Sequence, residues 1–381
     1  METAETTETP KNRRRLRERG IVIGALPTGR RNAITDVDGV RVGHTTRVEG
    51  GGPLQPGIGP VRTGVTVILP HADNLYRHKV RAAVHRINGF GKACGFEEVR
   101  ELGVLESPIA LTNTLNVWRV ADALVDDALR QNPDIGIHTS TFNPVVGECN
   151  DGYLNDIQGR HVTAADVHAA LAAARSSKDG APVSEGNVGA GTGTSCFGWK
   201  GGIGTASRVI PAEVGGWTLG ALVQSNFGRP EQLVVNGDAV GRRLRPADVV
   251  NEGTSEEKGS IMIVLATDAP LGSRQLGRLC ARVAAGLART GSTIGHGSGD
   301  FVIAFSTATC IAHDPQTITR PETVLADEGR VLSYLFDAVV EAVEEAVLNS
   351  LCMAETMTGR DGHVRWGIER LTSAGDALYN H

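Results

Sequence analysis

A serine follows a glycine where a polar segment of the chain meets an apolar one. Ser260 comes directly after Gly259, behind the polar run 251–258 and in front of the apolar residues 261–266. If the chain is cut between the two residues, Ser260 carries a hydroxyl nucleophile and an α-amine whose ordinary pKa is about 7.7–8.0. Near neutral pH that amine is partly unprotonated, so an N-terminal serine can supply its own proton acceptor. The spacing therefore permits a self-cleaving amide hydrolase.

The glycine in this pair has two interpretations. A residue without Cβ can adopt a strained backbone that exposes its carbonyl group to the next side chain, which suits self-cleavage. Taken alone, however, Gly259 and Ser260 fit a turn glycine followed by a strand-start serine better.

A second polar pair stands in front of another apolar segment. Ser298 and Asp300 precede the apolar residues 301–305, and in an extended segment their side chains point the same way. A serine hydroxyl bridged to a carboxylate can orient the proton that leaves a nucleophile, although the same residues also fit an Asx-type turn. The segment is not a G-x-S-x-G nucleophile elbow, because His296 and Asp300 occupy the outer glycine positions.

Amide hydrolysis also needs hydrogen-bond donors for the charge that develops on the carbonyl oxygen, and a substrate with a free amino group would need a carboxylate to hold its ammonium. Asn226, at the end of an apolar segment, is the first candidate donor, and Tyr153 is the second. A buried tyrosine more often only packs its ring. Glu148 is the first candidate for binding the ammonium group and Asp151 the second; a capping or surface role is the alternative for both.

The remaining polar patterns indicate neither a cofactor nor a metal ion. The glycine-rich run 186–204 lacks the G-x-x-x-x-G-K-[ST] pattern of phosphate loops and follows a loop instead of a strand. We interpret it as backbone packed close to the active cleft, with Lys200 as a charged neighbour. The eleven histidines form no HExxH motif and no cluster, so the sequence predicts no metal site.

Periodic apolar segments provide the elements that must position these residues. Thr163 and Asp166 form a capping-box pattern in front of an alanine-rich helix through Ala174. Other helical stripes lie at 117–128, 276–287 and 332–347, and apolar strand candidates at 65–69, 219–223, 261–265 and 301–305. Strands mixed with helices predict an α/β or α+β layered fold, in which a Rossmann-like sheet and two stacked sheets both remain open.

Composition is that of an ordinary globular protein. The 381 residues, 40% hydrophobic and 21% charged, predict one compact unit with 251–258 as a short exposed connector. The net charge of −5 indicates neither a nucleic acid nor an acidic membrane as partner, and no apolar run approaches the ~20 residues that span a bilayer. Six cysteines without a CxxC pair and the lack of a signal-peptide pattern favour a cytoplasmic protein. The basic residues near the N-terminus predict a flexible, solvated arm over 1–17.

Several longer motifs occur in one order from about residue 19 to residue 363. They are RNAITD (31–36), GVRVGHT (39–45), PVVGE (144–148), NDGYLND (150–156), GAGTG (189–193), KGGIGT (200–205), GSGD (297–300) and ETMTGRDG (355–362). Together they resemble the DmpA-type aminopeptidases, the family of L-aminopeptidase/D-Ala-esterase and β-peptidyl aminopeptidases. In this context, cleavage at Gly259–Ser260 is favoured over an ordinary turn.

The resemblance implies a four-layer αββα sandwich, similar to N-terminal-nucleophile hydrolases but with different strand connectivity. It also implies cleavage into residues 1–259 and 260–381, and a proton relay of Ser260, Ser298 and Asp300, where some relatives carry Glu at the acid position. The cofactor-free enzyme would release N-terminal residues from short peptides, amino-acid amides or esters through an acyl-enzyme on Ser260. Relatives assemble as oligomers of αβ units, commonly tetramers.

Three alternatives stay open on the sequence alone. A related endohydrolase of ω-amino-acid oligomers would share the fold and the cleavage. An acyltransferase of the ornithine-acetyltransferase type would pass the acyl group to an amine, and it usually presents Thr where this chain has Ser260. A binding protein would keep the 259–260 bond intact and hydrolyse no amide.

Overall fold

The computed structural model of the chain describes residues 13–246 and 258–368. The strands are β1 (Arg41–Glu49), β2 (Val61–Leu69), β3 (His78–Gly89), β4 (Val104–Leu105), β5 (Ile109–Asn113), β6 (Val145–Cys149), β7 (Ser195–Cys196), β8 (Trp199–Lys200), β9 (Ile203–Val209), β10 (Thr218–Asn226), β11 (Lys258–Thr267), β12 (Gly297–Ala312), β13 (Met357–Thr358) and β14 (Val364–Arg365). The helices are α1 (Phe96–Leu102), α2 (Val117–Gln131), α3 (Ala164–Ser176), α4 (Ser273–Cys280), α5 (Val283–Arg289) and α6 (Glu328–Cys352).

Two large sheets pack face to face. One has the strand order β1-β2-β5-β6, and the other has the order β4-β3-β12-β11-β10-β9. Successive side chains of a strand point to opposite faces, and in β11 this alternation separates two cores. Met262 and Val264 pack between the sheets, whereas Ile261 and Ile263 pack on the outer face of the six-stranded sheet.

Helices cover the outer face of each sheet. The core on the six-stranded side contains Leu276 of α4, Leu287 of α5 and Val343 of α6. The core on the four-stranded side contains Val120 of α2 and Leu171 of α3. The layers therefore follow the order αββα, which confirms the predicted four-layer sandwich.

The two sides of the predicted cleavage point contribute strands to the same sheet. β11 and β12, which follow residue 259 almost entirely, lie side by side in parallel register. β10 flanks β11 and β3 flanks β12, and both of these strands come from earlier in the chain. The pair β11–β12 is therefore enclosed on both edges by strands of the first segment.

Most of the predicted elements are present. The helical stripes at 117–128 and 332–347 lie in α2 and α6, and Thr163 caps α3 in a capping box with Asp166. The four strand candidates lie in β2, β10, β11 and β12. The predicted helix at 276–287 is two helices, α4 and α5, because a turn at residues 281–282 interrupts it. Arg282 at this turn packs its guanidinium over the Phe336 ring at 4.1 Å.

The prediction of a flexible arm over 1–17 is wrong for residues 13–17, while residues 1–12 lie outside the described part of the chain. Leu16 is fully buried in the core beside α6. Arg15 donates hydrogen bonds to the carbonyl oxygens of Asn32 at 2.7 Å and Thr205 at 2.6 Å. Arg17 forms an ion pair of 2.8 Å with the buried carboxylate of Glu345 in α6. Buried acceptors, which the sequence pattern does not reveal, hold this basic run in place.

Two further expectations concern the connector 251–258 and membrane-spanning segments. Apart from Lys258, which begins β11, the predicted connector 251–258 lies outside them. Within 13–246 and 258–368, none of the helices combines the length and the apolar composition needed to cross a bilayer.

Candidate active site

Ser260 lies near the start of β11, in the middle of the six-stranded sheet. Its direct cross-strand partner is Asn226, the last residue of β10. Ser260 is only 3% exposed, and the alternation along β11 places its side chain on the same face as Met262, towards the four-stranded sheet. The hydroxyl therefore lies at the end of the space between the two sheets.

Two N–H groups converge on this hydroxyl. The side-chain amide Nδ2 of Asn226 donates to Ser260 Oγ at 3.2 Å, and the backbone N–H of Asn150 points to the same oxygen at 3.4 Å. Asn150 directly follows β6 of the facing sheet, so both sheets contribute one donor. Donors fixed in this way can stabilise negative charge that develops beside the nucleophile.

The orientation of the Asn226 amide is fixed by a second hydrogen bond. Its oxygen Oδ1 accepts a hydrogen bond of 3.0 Å from the backbone N–H of Ser195 in β7. Because the carboxamide oxygen is engaged on that side, the NH₂ group is directed at Ser260. The predicted role of Asn226 as an oxyanion donor agrees with this geometry and remains a prediction.

The last residue of β6 also faces the nucleophile. Cys149 is fully buried, and its thiol donates to the carbonyl oxygen of Gln224 at 3.3 Å. Burial raises the pKa of this thiol well above its ordinary value, while a hydrogen bond with Ser260 acts in the opposite direction. Cys149 is thus a neutral neighbour of the Ser260 hydroxyl and does not compete with it as a thiolate.

Position 259 requires glycine for a different reason from the predicted one. Gly259 does not have a left-handed φ, so no strain of that kind is present. A Cβ atom on Gly259 would instead lie 2.8 Å from Cα of Phe227 and 3.0 Å from the carbonyl oxygen of Asn226. Close approach of the chain that follows β10 therefore excludes a side chain next to the 259–260 bond.

Ser298 and Asp300 form a buried pair at the start of β12. The Ser298 hydroxyl donates to Asp300 Oδ1 at 2.6 Å, so the shorter aspartate reaches the serine. In the parallel register, Ser298 pairs with Gly259, and Gly299 pairs with Ser260. The pair therefore lies beside the 259–260 bond. Ser298 and Asp300 are the residues on either side of Gly299, so neither of them is directly opposite Ser260. Its relay to the nucleophile remains a prediction.

Glu148 is buried one residue before Cys149. Its Oε1 accepts a hydrogen bond of 2.9 Å from the backbone N–H of Lys92, and its Oε2 accepts one from the Thr114 hydroxyl. A Cβ on Gly91 would lie 3.2 Å from both Glu148 Oε1 and Cα of Gly299, the residue that pairs with Ser260. Burial raises the pKa of the Glu148 carboxyl. The carboxylate thus lies near the nucleophile strand.

Asp151 directly follows Asn150 and is buried. Its Oδ1 accepts a hydrogen bond of 3.0 Å from Asn155, and burial raises the pKa of the carboxyl to about 6. Lys200 is fully buried and within electrostatic range of Asp151, and burial lowers the pKa of its ammonium to about 7. Asp151 is therefore part of an internal polar network, which makes it the weaker candidate for a substrate carboxylate.

Tyr153 is half-buried and held from two sides. Its ring stacks on His363 at 4.5 Å, and the Arg365 guanidinium lies 3.5 Å from the ring centroid. Arg365 also donates to the Ser195 hydroxyl at 3.1 Å. Tyr153 thus reaches the Ser195–Asn226 pair through Arg365. A role for its hydroxyl in the oxyanion site stays a prediction.

Comparison with known proteins decides the family. The sequence matches the model of peptidase family S58 over residues 32–365. The chain belongs to peptidase family S58. It is 41% identical over 372 residues to the β-peptidyl aminopeptidase BapA of Sphingosinicella microcystinivorans, which covers 94% of this chain and 90% of that protein.

Two solved structures share the fold. A protein from Pyrococcus horikoshii OT3 superposes with a TM-score of 0.85 at 48% identity, covering 93% of this chain and 96% of its own. The L-aminopeptidase D-Ala-esterase/amidase of Ochrobactrum anthropi, described as a prototype for the serine aminopeptidases and a new variant of the Ntn hydrolase fold, superposes with a TM-score of 0.82 at 39% identity. That match covers 93% of this chain and 95% of the other.

These relationships confirm the predicted family, fold class and kind of activity. The S58 peptidase is an aminopeptidase of the N-terminal serine hydrolase class. The endohydrolase, the acyltransferase and the binding protein are not favoured by any of these matches.

Sequence reasoning missed three contributors to the site of this S58 peptidase. The backbone N–H of Asn150 and the backbone N–H of Ser195 act through peptide groups, which have no signature in residue types. Cys149 is one of six cysteines without a motif, and only the packing of the two sheets brings it to Ser260. Its position directly after the PVVGE motif was the available signal.

Proposed function

We propose that this S58 peptidase cleaves itself between Gly259 and Ser260 and then uses Ser260 as the N-terminal nucleophile of an aminopeptidase. The observation that supports this most directly is the convergence of two N–H donors, from Asn226 and Asn150, on the Ser260 hydroxyl. A structural serine at a strand start has no need for two donors from opposing sheets.

Self-cleavage proceeds in two steps, formation of an ester and its hydrolysis. Ser260 Oγ attacks the carbonyl carbon of Gly259, its proton passes to the departing amide nitrogen, and an ester replaces the peptide bond. Water then hydrolyses the ester, which leaves a carboxylate on Gly259 and a free α-amine and hydroxyl on Ser260. Donors next to the hydroxyl stabilise the tetrahedral intermediate of the first step.

Substrate hydrolysis repeats this chemistry on an external carbonyl group. Ser260 Oγ attacks the first amide or ester carbonyl of the substrate, and the α-amine of Ser260 accepts the proton, aided by the Ser298–Asp300 pair. Asn226, with Tyr153 as a second donor, holds the oxyanion, and the leaving amine or alcohol takes the proton. Water then releases the acyl group from Ser260.

The Glu148 carboxylate and the relatives together support a substrate class. The buried Glu148 carboxylate near the nucleophile strand is suited to a free terminal ammonium group. The curated relatives are named β-peptidyl aminopeptidases, and a solved relative is an L-aminopeptidase D-Ala-esterase/amidase. We therefore propose short peptides, amino-acid amides and esters with a free α- or β-amino group as substrates. From the sequence alone, we also propose that the enzyme is a cytoplasmic oligomer of αβ units.

The denaturing intact mass of freshly purified protein tests this proposal. We expect two species that sum to the full chain plus one water, with Ser260 as a new N-terminus. Ser260→Ala should give a single full-length species without amidase activity, whereas Ser306→Ala, a buried strand serine of β12 that donates to the Ala269 carbonyl, should still be cleaved. Cleavage of the Ser260→Ala chain at this bond would refute the mechanism.

A further inference from the structure

A buried lysine is linked to the nucleophile by an unbroken series of hydrogen bonds. Lys200 Nζ donates to the carbonyl oxygen of Thr194 at 2.8 Å. The N–H of the same peptide group, which belongs to Ser195, donates to Asn226 Oδ1 at 3.0 Å. Asn226 Nδ2 in turn donates to Ser260 Oγ at 3.2 Å. Because a peptide group is planar and rigid, the position of its carbonyl fixes the direction of its N–H.

The charge on Lys200 also acts along this series. A cation on the carbonyl oxygen of an amide polarises the amide and strengthens its N–H as a donor, and neighbouring hydrogen bonds reinforce one another in a buried site. The series contains two amide groups in the same orientation, the Thr194–Ser195 peptide and the Asn226 carboxamide. Both therefore transmit the polarisation towards Ser260.

The surroundings of Lys200 favour this role over that of an ordinary ion pair. Among the residues that the structure describes, its ammonium makes no hydrogen bond to a carboxylate; besides Thr194, it donates to the carbonyl oxygens of Gly191 and Gly201, each at 2.9 Å. Lys200 is fully buried, and burying a charge without a directly paired partner is costly. A methionine or leucine would fill such a position without that cost.

We propose that Lys200 is a positioning residue for catalysis: through the Thr194–Ser195 peptide group, its ammonium orients and polarises the Asn226 amide that serves the oxyanion. The inference rests on the proposed roles of Ser260 and Asn226, and it adds a residue that touches neither substrate nor reacting atoms. Within the described ranges, the charged or titratable groups that face this region include the Asp151 carboxyl, the Cys196 thiol and the Arg365 guanidinium on Ser195.

A double-mutant cycle on kcat tests this role. We use the fully cleaved fraction, quantified by intact mass, and a chromogenic amino-acid p-nitroanilide as substrate. Lys200→Met should lower kcat by about 10-fold or more with little change in KM, and Lys200→Arg should recover part of this loss. If Lys200 acts through Asn226, the variant Lys200→Met with Asn226→Ala should be no slower than Asn226→Ala alone.

The matched control is Lys79, another mostly buried lysine, which is paired with Glu106 away from the site. Lys79→Met should combine with Asn226→Ala as the product of the two separate effects. The same multiplicative behaviour for Lys200→Met would overturn the inference while leaving the proposed function intact. An Asn226→Ala variant with unchanged kcat would overturn the inference and the oxyanion role of Asn226, whereas the self-cleaving aminopeptidase itself is tested by Ser260→Ala.

A measurement without any lysine variant covers the case in which Lys200→Met does not fold. Because burial lowers the pKa of Lys200 to about 7, the ammonium loses its charge and one donor as pH rises through neutrality. The ratio of wild-type kcat to Asn226→Ala kcat should therefore fall several-fold between about pH 6 and pH 9. The titration of the Ser260 α-amine is common to both proteins and cancels in the ratio. A constant ratio would contradict the inference.

Discussion

The side chains of Asn226 and Ser260 meet across two antiparallel strands, and the Asn226 amide nitrogen lies 3.2 Å from the Ser260 hydroxyl oxygen. The two residues come from opposite sides of the bond that we propose is cut. The first segment thus supplies a donor, and the second supplies the nucleophile. Activity should therefore require both segments to remain in one sheet.

Removing the Asn226 donor should slow catalysis much more than it weakens binding. A single oxyanion donor is worth about 10²–10³ in kcat, so Asn226→Ala should lose activity on that scale with a nearly unchanged KM. Steady-state kinetics on a chromogenic amide measure both constants. Asn187→Ala is the matched control, because within the described part of the chain that side chain bonds only to the backbone of Glu355. Equal kcat values for wild type and Asn226→Ala would exclude the donor role.

Adding a methyl group at position 259 should slow self-cleavage. The Cβ of Gly259→Ala would meet the backbone of Phe227 at 2.8 Å and displace the strand around the 259–260 bond. We expect conversion of the full-length chain to slow by at least about 10-fold, followed by intact mass over time. Gly277→Ala in α4 should cleave at the wild-type rate, because beyond its chain neighbours and its own helix backbone no atom of the described residues lies within 4 Å of the new Cβ. A normal rate for Gly259→Ala would show that close packing there is not needed.

Breaking the Ser298–Asp300 pair should impair proton transfer. General acid–base groups contribute about 10²–10⁴ to the rate, so Ser298→Ala should lower kcat on this scale and alter its pH profile. The Ser306→Ala variant removes a buried hydroxyl from the same strand and should keep the wild-type profile. If the two variants behave alike, the pair has a structural role only.

Neutralising Glu148 should affect only substrates with a free amino group. Glu148→Gln retains an oxygen for the Lys92 N–H but loses the negative charge, so KM for an amino-acid amide should rise by at least about 10-fold. Glu101→Gln, at an exposed position of α1, is the control. A similar change for an ester or amide with an acetylated amino group would argue against ammonium binding.

The buried Asp151 carboxyl should make stability depend on pH. Burial raises its pKa from 3.8 to about 6 in the folded protein, so between these values the folded state binds more protons than the unfolded state. Its contribution to the free energy of unfolding therefore falls as pH rises from about 4 to about 6. Asp151→Asn lacks this ionisation, so the melting temperature of wild type should drop relative to the variant over that window. A difference in melting temperature that does not vary with pH would contradict the assignment.

The sequence revealed the elements whose side chains are uniform on one face. β11 is a continuous apolar run, and the stripes of α2 and α6 follow the helical period. β3 was missed because Arg81 and His85 interrupt its apolar residues. Pairing with β4 on one edge and with β12 on the other compensates for this interruption. Local propensity carries no signal from a neighbouring strand.

The candidate site divides in a similar way. Ser260, Asn226, Ser298 and Asp300 were recognised because each stands where an apolar strand begins or ends. The Asn150 and Ser195 amides belong to the backbone and become donors only when distant segments fold together. The buried acceptors of Arg15 and Arg17 are likewise tertiary, so a basic run that looks solvated is packed instead.

The enclosure of β11 and β12 by β10 and β3 has a further consequence for the mature enzyme. After cleavage the two polypeptides would be chemically separate but would share one continuous ladder of hydrogen bonds. Neither polypeptide could dissociate without breaking the strand pairing in the middle of the sheet. The two segments of one precursor should therefore stay together after cleavage. When two differently tagged mature enzymes are mixed, the segments 1–259 and 260–381 should not exchange between them. Dilution should not separate the two segments either.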